Sequence, residues 1–232
     1  MKMSKILRKE HLLLALVLLA PTVGRAASLN AAAWAALPDL KGQWVIVPKA
    51  QPLPSYNSEW VKKRLQVADD IKAGKISEPV SVCGLPVGNP WMLSMSDIHE
   101  WIVRPDGVWH NIENTGITSR IYTDGRPHSD ADTIFDTYTG DSIGHWVGKT
   151  LVSDTIALRD DTWLGPGALI HSDKLHLTQR LRKTAPNRLE VSLTASDPEA
   201  FTRPWKVTYT YRRLPPNTRV NEYACKILRP NG

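Results

Sequence analysis

The sequence predicts a mainly β protein, built as a single antiparallel β-barrel or a strongly bent sheet with one N-terminal helix. From residue 98 onward, short runs of alternating apolar and polar residues are separated by turn-forming residues, which is the pattern of an antiparallel sheet. Turn chemistry agrees at several junctions, including Pro105-Asp106-Gly107, Gly148-Lys149 and Ala185-Pro186-Asn187. Because many strands in a short chain need their edges covered, closure into a calycin-like or lipocalin-like barrel is favoured; the alternative is a bent sheet with the helix across its mouth.

The predicted elements begin with a strand over 43–47 and a helix over 58–73. Ser58 is the predicted N-cap and Gly74 the predicted stop of this helix. Its predicted core-facing stripe consists of Trp60, Val61, Leu65, Ala68 and Ile71. The remaining strands are predicted at about 99–104, 108–114, 118–123, 143–147, 150–157, 174–182, 188–195, 204–212 and 219–226.

The first 26 residues have the order of a secretory signal peptide. Four basic residues precede an apolar run over 12–20, and the small residues Gly24 and Ala26 suit cleavage after Ala26. The run is too short for a permanent bilayer anchor. We therefore expect a periplasmic or secreted protein with no membrane attachment after cleavage, in which an N-terminal arm over 27–97 and a barrel core over 98–232 form one domain.

Charge argues against a nucleic-acid partner. Loss of five basic residues and one acidic residue with the leader lowers the formal net charge from +6 to +2. The mature chain then carries short basic clusters, such as Lys62-Lys63-Arg64, where a nucleic-acid protein needs a basic stripe. The sequence leaves a homo-oligomer open.

Cys83 and Cys225 are the two cysteines of the chain, and they lie near the two ends of the mature protein. In an oxidising compartment they are predicted to form one disulfide, worth about 4–5 kcal/mol in the chain-entropy model. The alternative is a reactive thiol, for which neither cysteine has an activating base nearby in sequence. Nine tryptophans against two phenylalanines fit either a wide, filled β interior or an aromatic-lined ligand cavity.

Potentially reactive side chains concentrate between residues 122 and 180. One strand end and turn carry Tyr122, Asp124, Arg126 and His128, that is, a phenol, a carboxylate, a guanidinium and an imidazole. Functional groups often cluster on such loops at a barrel mouth. The alternative is an ordinary turn in which Asp124 satisfies local amides.

The hairpin over 143–154 allows a geometric prediction. If Gly148-Lys149 is a two-residue turn, His145 and Asp154 lie diagonally on one face, roughly 7–8 Å apart between backbones. An adjacent carboxylate would orient the imidazole as a general base or proton shuttle. The same face carries the apolar residues Ile143, Val147 and Val152, which favours a buried pair over one that faces water.

Other candidates follow this hairpin. His171 and His176, five residues apart, should lie on opposite faces of a regular strand, so their spacing gives little support to a two-histidine metal site. His128, His145 and His171 could still converge on one metal ion from separate segments. Arg180 lies on the polar face of its strand, which faces either solvent or a polar cavity. Trp146 and Trp163 are candidates to stack on a substrate. The chain has no phosphate loop, nucleophile elbow, Walker motif or CxxC pair, so we expect no ATP, flavin or nicotinamide chemistry. The favoured hypothesis assigns neither a cofactor nor a metal.

Several strings resemble those of a large family of exported, mostly uncharacterised bacterial proteins. They are the segments over 120–128, 142–155, 171–173, 197–205 and 222–225, so the resemblance spans about residues 42–225. Relatives carry an acidic residue where Val147 or Lys149 stands here, which argues against a site role for that turn. The family is similar to γ-formaldehyde lyases that remove a hydroxymethyl group from phenylcoumaran-type lignin dimers without a cofactor.

These observations lead to one favoured hypothesis and two alternatives. The favoured function is a cofactor-independent lyase that acts on a bulky aromatic molecule in a barrel cavity. His145 would be the base oriented by Asp154, Tyr122 and Arg126 would stabilise negative charge, and His128 or His171 would carry a second proton. The alternatives are a periplasmic binding protein without turnover and a metal-dependent hydrolase.

Overall fold

The computed structural model describes residues 37–81, 87–113 and 116–221, and it confirms the predicted fold class. Nine strands, numbered in chain order, form a closed barrel. The elements are β1 (Trp44–Ile46), α1 (Ser58–Lys72), β2 (His99–Arg104), β3 (Gly107–Ile112), β4 (Thr118–Tyr122), β5 (Asp141–Val147), β6 (Thr150–Ile156), β7 (His176–Ala185), β8 (Arg188–Ser196) and β9 (Trp205–Arg213), with short 3₁₀ helices at Pro79–Ser81 and Trp91–Ser94.

Nine of the predicted strands are present within a few residues of their predicted bounds. The last prediction, over 219–226, fails over 219–221, which form no strand, and its remainder lies outside the described residues. The predicted leader, Cys83 and Cys225 also lie outside them, so the signal peptide and the disulfide stay predictions. Within the described residues no helix is long and apolar enough to span a membrane.

Neighbouring strands are antiparallel with one exception, the parallel pair of β4 and β5. Their connection, over 123–140, leaves β4 after Tyr122 and returns to β5 beside it, since Tyr122 is aligned with Ile143. The pairing strength also varies around the barrel. β7 and β8 share nine aligned residue pairs, whereas β1 and β2 share the single pair Trp44 and His99.

The two ends of the barrel differ. Two-residue turns follow β2, β5 and β7 at one end, because successive antiparallel strands alternate in direction. The long connections over 157–175 and 197–204 therefore lie at the opposite end, where α1 also packs. Tyr56, just before α1, donates a hydrogen bond from its hydroxyl to the carbonyl of Ile170 at 2.7 Å and contacts the ring of Phe201.

The N-cap of α1 lies one residue earlier than predicted. Asn57 is the N-cap, and its side-chain oxygen accepts hydrogen bonds from the backbone amides of Glu59 and Trp60. Ser58 is therefore the first helical residue. Gly74 ends the helix with a φ of +68°, as predicted.

The predicted core-facing stripe of α1 is wrong in part. Val61 and Leu65 are 43% and 53% exposed, whereas Val67, with Ala68 and Ile71, packs against a cluster that contains Trp91 and Met92. The helix packs across the barrel end through a line that is rotated from the predicted one.

Side chains occupy the barrel interior. Aliphatic residues such as Leu177, Leu189 and Leu193 are fully buried beside large aromatic residues that include Trp44, Trp101 and Tyr211. At least five of the nine tryptophans therefore fill the core, namely Trp44, Trp91, Trp101, Trp163 and Trp205. The two alternatives for the aromatic residues are resolved for these five in favour of packing.

Candidate functional site on the outer wall of the barrel

The predicted pairing of the β5–β6 hairpin is confirmed. Val147 is aligned with Thr150, His145 with Val152, and Ile143 with Asp154. The inference that this face is buried is wrong, because Ser142, Leu151, Ser153 and Thr155 point inward and the alternate residues form the outer wall. His145 is exposed there, so it is not the enclosed base that the sequence predicted.

Asp154 contacts two other histidines on this outer wall. Its Oδ1 lies 2.9 Å from Nε2 of His128, and its Oδ2 lies 2.6 Å from Nε2 of His176. We call His128, Asp154 and His176 the His–Asp–His cluster. The side chains of its members are 20%, 40% and 44% exposed, in that order, so the cluster is open to solvent on one side.

The tautomers of both rings follow from the geometry. An ionised carboxylate accepts hydrogen bonds and donates none, so each Nε2 carries the hydrogen that it donates to Asp154. A neutral His176 then has its lone pair on Nδ1. Because His176 is the more exposed ring, a bound molecule would meet that nitrogen first.

The connection between β4 and β5 brings His128 to the cluster. Asp141, the first residue of β5, accepts a hydrogen bond from the backbone amide of Ser129 at 2.7 Å, which fixes the chain beside His128. Nδ1 of His128 is buried, has no hydrogen-bond partner and lies 3.7 Å from Oδ2 of Asp141. The ring is therefore held between two carboxylates, an arrangement that suits a proton-carrying group.

The predicted group Tyr122, Asp124 and Arg126 lies beside the cluster. Tyr122, Ile143 and Asp154 form one aligned row across β4, β5 and β6, which puts Tyr122 and Asp154 roughly 10 Å apart at the usual strand spacing. The guanidinium of Arg126 lies 3.9 Å from the ring centroid of Tyr122 and makes a bidentate ion pair with Asp124. The ion pair lowers the pKa of Asp124 through hydrogen bonds from Arg126.

His171 is buried at the end of the barrel, and it makes no contact with the cluster in the structure. Its Nδ1 donates to the carbonyl of Ser172 at 2.7 Å, and its Nε2 lies 2.8 Å from the hydroxyl of Thr162. Burial lowers the pKa of His171, so the ring is neutral and Nε2 accepts the hydroxyl hydrogen. The predicted convergence of His128, His145 and His171 in one enclosed pocket is wrong, because they occupy the outer wall and the buried end.

The other predicted binding residues are dispersed. Arg180 is exposed on the outer face of β7, as the solvent alternative predicted. Trp163 is buried and stacked on Trp91 with ring centroids 6.0 Å apart. Trp146 points inward and packs against the core. These two tryptophans fill space between elements and do not form a ligand wall.

Sequence reasoning missed a buried imidazole pair inside the barrel. His99 donates from Nε2 to the carbonyl of Met95, so its Nδ1 accepts the hydrogen of His110 Nε2 at 2.9 Å. Trp101 stacks on His110 at 4.4 Å, and Tyr211 packs edge-on against His99. Burial lowers the pKa of His99 to about 4 and that of His110 well below its usual value. The hairpin argument applied to 143–154 would have found this pair, since Trp101 is aligned with His110.

Sequence reasoning also assigned no role to His176. It considered this residue as a metal ligand with His171, which the structure buries at the end of the barrel, whereas His176 lies on the outer face of β7. Within the described residues no group of three histidine, cysteine or carboxylate side chains could hold a metal ion.

Comparison with known proteins adds no assignment. No protein-family model matches the chain, and no curated protein matches it. The functional inference therefore depends on the site geometry and on the sequence resemblance described above.

Proposed function

We propose that this protein is an exported, cofactor-independent acid–base enzyme, a lyase of bulky phenolic compounds, with its reaction centre at the His–Asp–His cluster. The observation that carries the proposal is the carboxylate of Asp154, which holds the Nε2 hydrogens of two partly exposed imidazoles. Such a carboxylate orients an imidazole and stabilises its protonated form. The interior is filled, so the substrate would bind on the outer wall and not in a barrel cavity.

Two imidazoles on one carboxylate suit the removal of a hydroxymethyl group. Nδ1 of His176 takes the proton from the primary hydroxyl of the substrate, and the adjacent C–C bond breaks to release formaldehyde. The electron pair of that bond stays on the remaining carbon, which then takes a proton from the cluster. His176 returns the proton from its Nδ1 to that carbon, while His128 holds Asp154 in place through its own Nε2 hydrogen bond. One proton leaves oxygen and one reaches carbon, so the reaction needs no oxidant, reductant or metal.

The neighbouring residues support an aromatic substrate. Ile143 offers an apolar, partly exposed side chain between Asp154 and Tyr122. Beyond it, the Arg126 guanidinium covers the ring of Tyr122, and its planar group can stack on a substrate ring while Asp124 balances its charge. The roughly 10 Å between Asp154 and Tyr122 matches the length of a two-ring molecule. The phenolic class itself comes from the sequence resemblance.

A substitution series tests the reaction centre. The purified mature protein is incubated with a panel of lignin-type dimers that carry a hydroxymethyl group, and released formaldehyde is measured. Replacing His176 by Ala, or Asp154 by Asn, should lower turnover by about 10²-fold or more, because the positioned base or its orienting carboxylate is lost. The matched control is His145→Ala, which removes an exposed imidazole from the same wall and should leave turnover within about twofold.

Three results would contradict the proposal. Equal loss of turnover in His145→Ala and His176→Ala would remove the assignment of the base. Binding of a dimer that is recovered intact would instead indicate a binding protein without turnover. Turnover that is abolished by a chelator and restored by a divalent metal would indicate a metal-dependent hydrolase.

A further inference from the structure

A groove separate from the His–Asp–His cluster lies at the end of the barrel, between α1 and the connection over 157–175. Its volume is about 620 Å³, which is in the size range of small-molecule sites. One wall comes from the first half of α1, and the other comes from Asp160, Ile170 and His171. We call it the mouth groove.

The helical wall carries apolar side chains at its two ends, Trp60 and Val67, with Lys62, Lys63 and Gln66 between them. Trp60, Lys63 and Val67 follow one another on one line of α1, so the wall from Trp60 to Val67 is about 10 Å long at 1.5 Å per residue. The ammonium of Lys63 lies 4.5 Å from the centroid of the Trp60 ring. Val67 and Ile170 pack against the buried cluster at the barrel end and give the groove a fixed, apolar floor.

The floor offers no charge of its own. Both ring nitrogens of His171 are occupied by Thr162 and Ser172, and the ring is neutral because burial lowers its pKa. His171 is 2% exposed, so its ring adds no charge to the groove. Arg64 ties the two walls together by donating to the carbonyl of Gly167 at 3.2 Å.

Charge is distributed unequally across the groove. Lys62 and Lys63 lie on the helical wall, and Asp160 lies on the opposite wall. Lys63 is paired with Glu59 at 2.8 Å, which leaves Lys62 as the cation on that wall with an exposed ammonium for a ligand. A ligand that crosses the groove would meet a positive charge at one end and a hydrogen-bond acceptor at the other.

We propose that the mouth groove binds a planar aromatic carboxylate that carries a hydroxyl or amino group at the end opposite its carboxylate. The ring system lies along Trp60 and Ile170, the carboxylate pairs with Lys62, and the distal hydroxyl or amino group donates to Asp160. Each part of the ligand corresponds to one observed feature of the walls: an aromatic face, a cation and a carboxylate. The site is distinct from the reaction centre, and its occupancy does not depend on turnover.

The test uses 6-hydroxy-2-naphthoate as the probe, with binding to the mature protein followed by isothermal titration calorimetry. We expect saturable one-to-one binding that is at least about fivefold tighter than that of 2-naphthoate or of 2-naphthol, each of which lacks one of the two polar groups. Cyclohexanecarboxylate, which has no aromatic face, should not bind measurably.

Matched variants locate the site. Lys62→Gln should weaken probe binding about tenfold, whereas Lys72→Gln, which removes the same charge from the exposed far end of α1, should leave it unchanged. Asp160→Asn should remove the preference for the hydroxylated probe over 2-naphthoate. Both sites are on the surface, so the variants are expected to fold as the parent does.

Several outcomes would overturn the proposal. They are non-saturable binding, equal effects of Lys62→Gln and Lys72→Gln, or an unchanged preference in Asp160→Asn. Formaldehyde release by the same variants separates this proposal from the proposed function. Lys62→Gln should retain turnover, and His176→Ala should retain probe binding, so either assignment can fail while the other stands.

Discussion

At the scale of single residues, burial separates five of the six described histidines into two chemical groups. His99, His110 and His171 are buried, and burial lowers the pKa of each. His128 and His176 share a carboxylate on the outer wall instead. The first group is neutral near pH 7 and organises the core, and the second is placed to exchange protons with a bound molecule.

The buried pair makes a prediction about acid stability. The pKa of His99 is about 4 in the folded protein and near 6.5 when the chain is unfolded, because desolvation disfavours the charged ring. Between these values the unfolded chain binds a proton that the folded protein does not. The free energy of unfolding should therefore fall as the pH drops through this window, by about 3 kcal/mol from His99 alone.

The variant His99→Gln isolates this contribution. Its side chain does not titrate, so its free energy of unfolding should fall by about 3 kcal/mol less than that of the parent between pH 7 and pH 4. Urea unfolding at several pH values measures both slopes. Identical slopes in the two proteins would show that His99 is not the titrating group.

At the scale of elements, the start of α1 shows how a local signal can be misplaced by one residue. Serine and asparagine are equally good caps, and the sequence Asn57-Ser58 offers both in succession. Asn57 also donates from its side chain to the carbonyl of Glu199 at 2.7 Å. That tertiary contact favours Asn57 over Ser58 as the cap, and it cannot be predicted from the local sequence.

This cap can be tested with its own neighbour as control. Asn57→Ala should lower the free energy of unfolding by about 1–2 kcal/mol, because two helix amides and the Glu199 carbonyl lose their partner. Ser58→Ala, at an exposed position in the first turn, should change it by less than about 0.5 kcal/mol. Chemical denaturation of the two variants checks the difference, and a larger loss in Ser58→Ala would contradict the assignment.

The β5–β6 hairpin shows why pairing was predictable and orientation was not. The two-residue turn at Gly148-Lys149 determines which residues are aligned, whatever surrounds them. Which face is buried depends on hydrophobicity, and here four of the inward residues are small or polar, namely Ser142, Gly144, Ser153 and Thr155. They accompany the inward apolar residues Trp146 and Leu151. Ser142 and Thr155 satisfy one another through a buried 2.8 Å hydrogen bond, so a polar inner face is stable. The apolar residues Ile143 and Val152 therefore misled the prediction.

In β7 the buried face was predicted correctly from alternating hydrophobicity. Leu177 and Leu181 alternate there with polar residues only, which are His176, Thr178, Arg180 and Arg182. The His–Asp–His cluster was beyond local reasoning for a different cause. His128 and Asp154 are 26 residues apart, and their contact depends on the path of an irregular connection. Sequence spacing predicts positions within regular elements and their short turns, but not along an irregular connection.

At the scale of the whole molecule, strand pairing is weakest between β1 and β2 and most extensive between β7 and β8. β1 is short and has one aligned pair with β2, whereas β7 and β8 have nine. Local opening should begin where the fewest backbone hydrogen bonds must break.

Hydrogen exchange should reveal this difference directly. We expect the backbone amides of β1 to exchange at least about 10²-fold faster than the hydrogen-bonded backbone amides between β7 and β8. The reason is that β1 can detach while the remaining strands stay paired. Mass spectrometry of peptic fragments or residue-resolved NMR measures the ratio. Equal protection in β1 and β8 would indicate that the barrel opens only as one cooperative unit.

The connection between β4 and β5 can change in length without opening the barrel. It starts and ends at neighbouring positions on the wall, so barrel closure does not depend on its span. The entropic penalty of a flexible loop grows slowly, by about 0.6 kcal/mol for each doubling of its length. Insertions, deletions and substitutions in this connection can therefore change the residues around His128 at a small cost in folding free energy. The ligand specificity of the site can thus change during evolution while the core of the barrel stays the same.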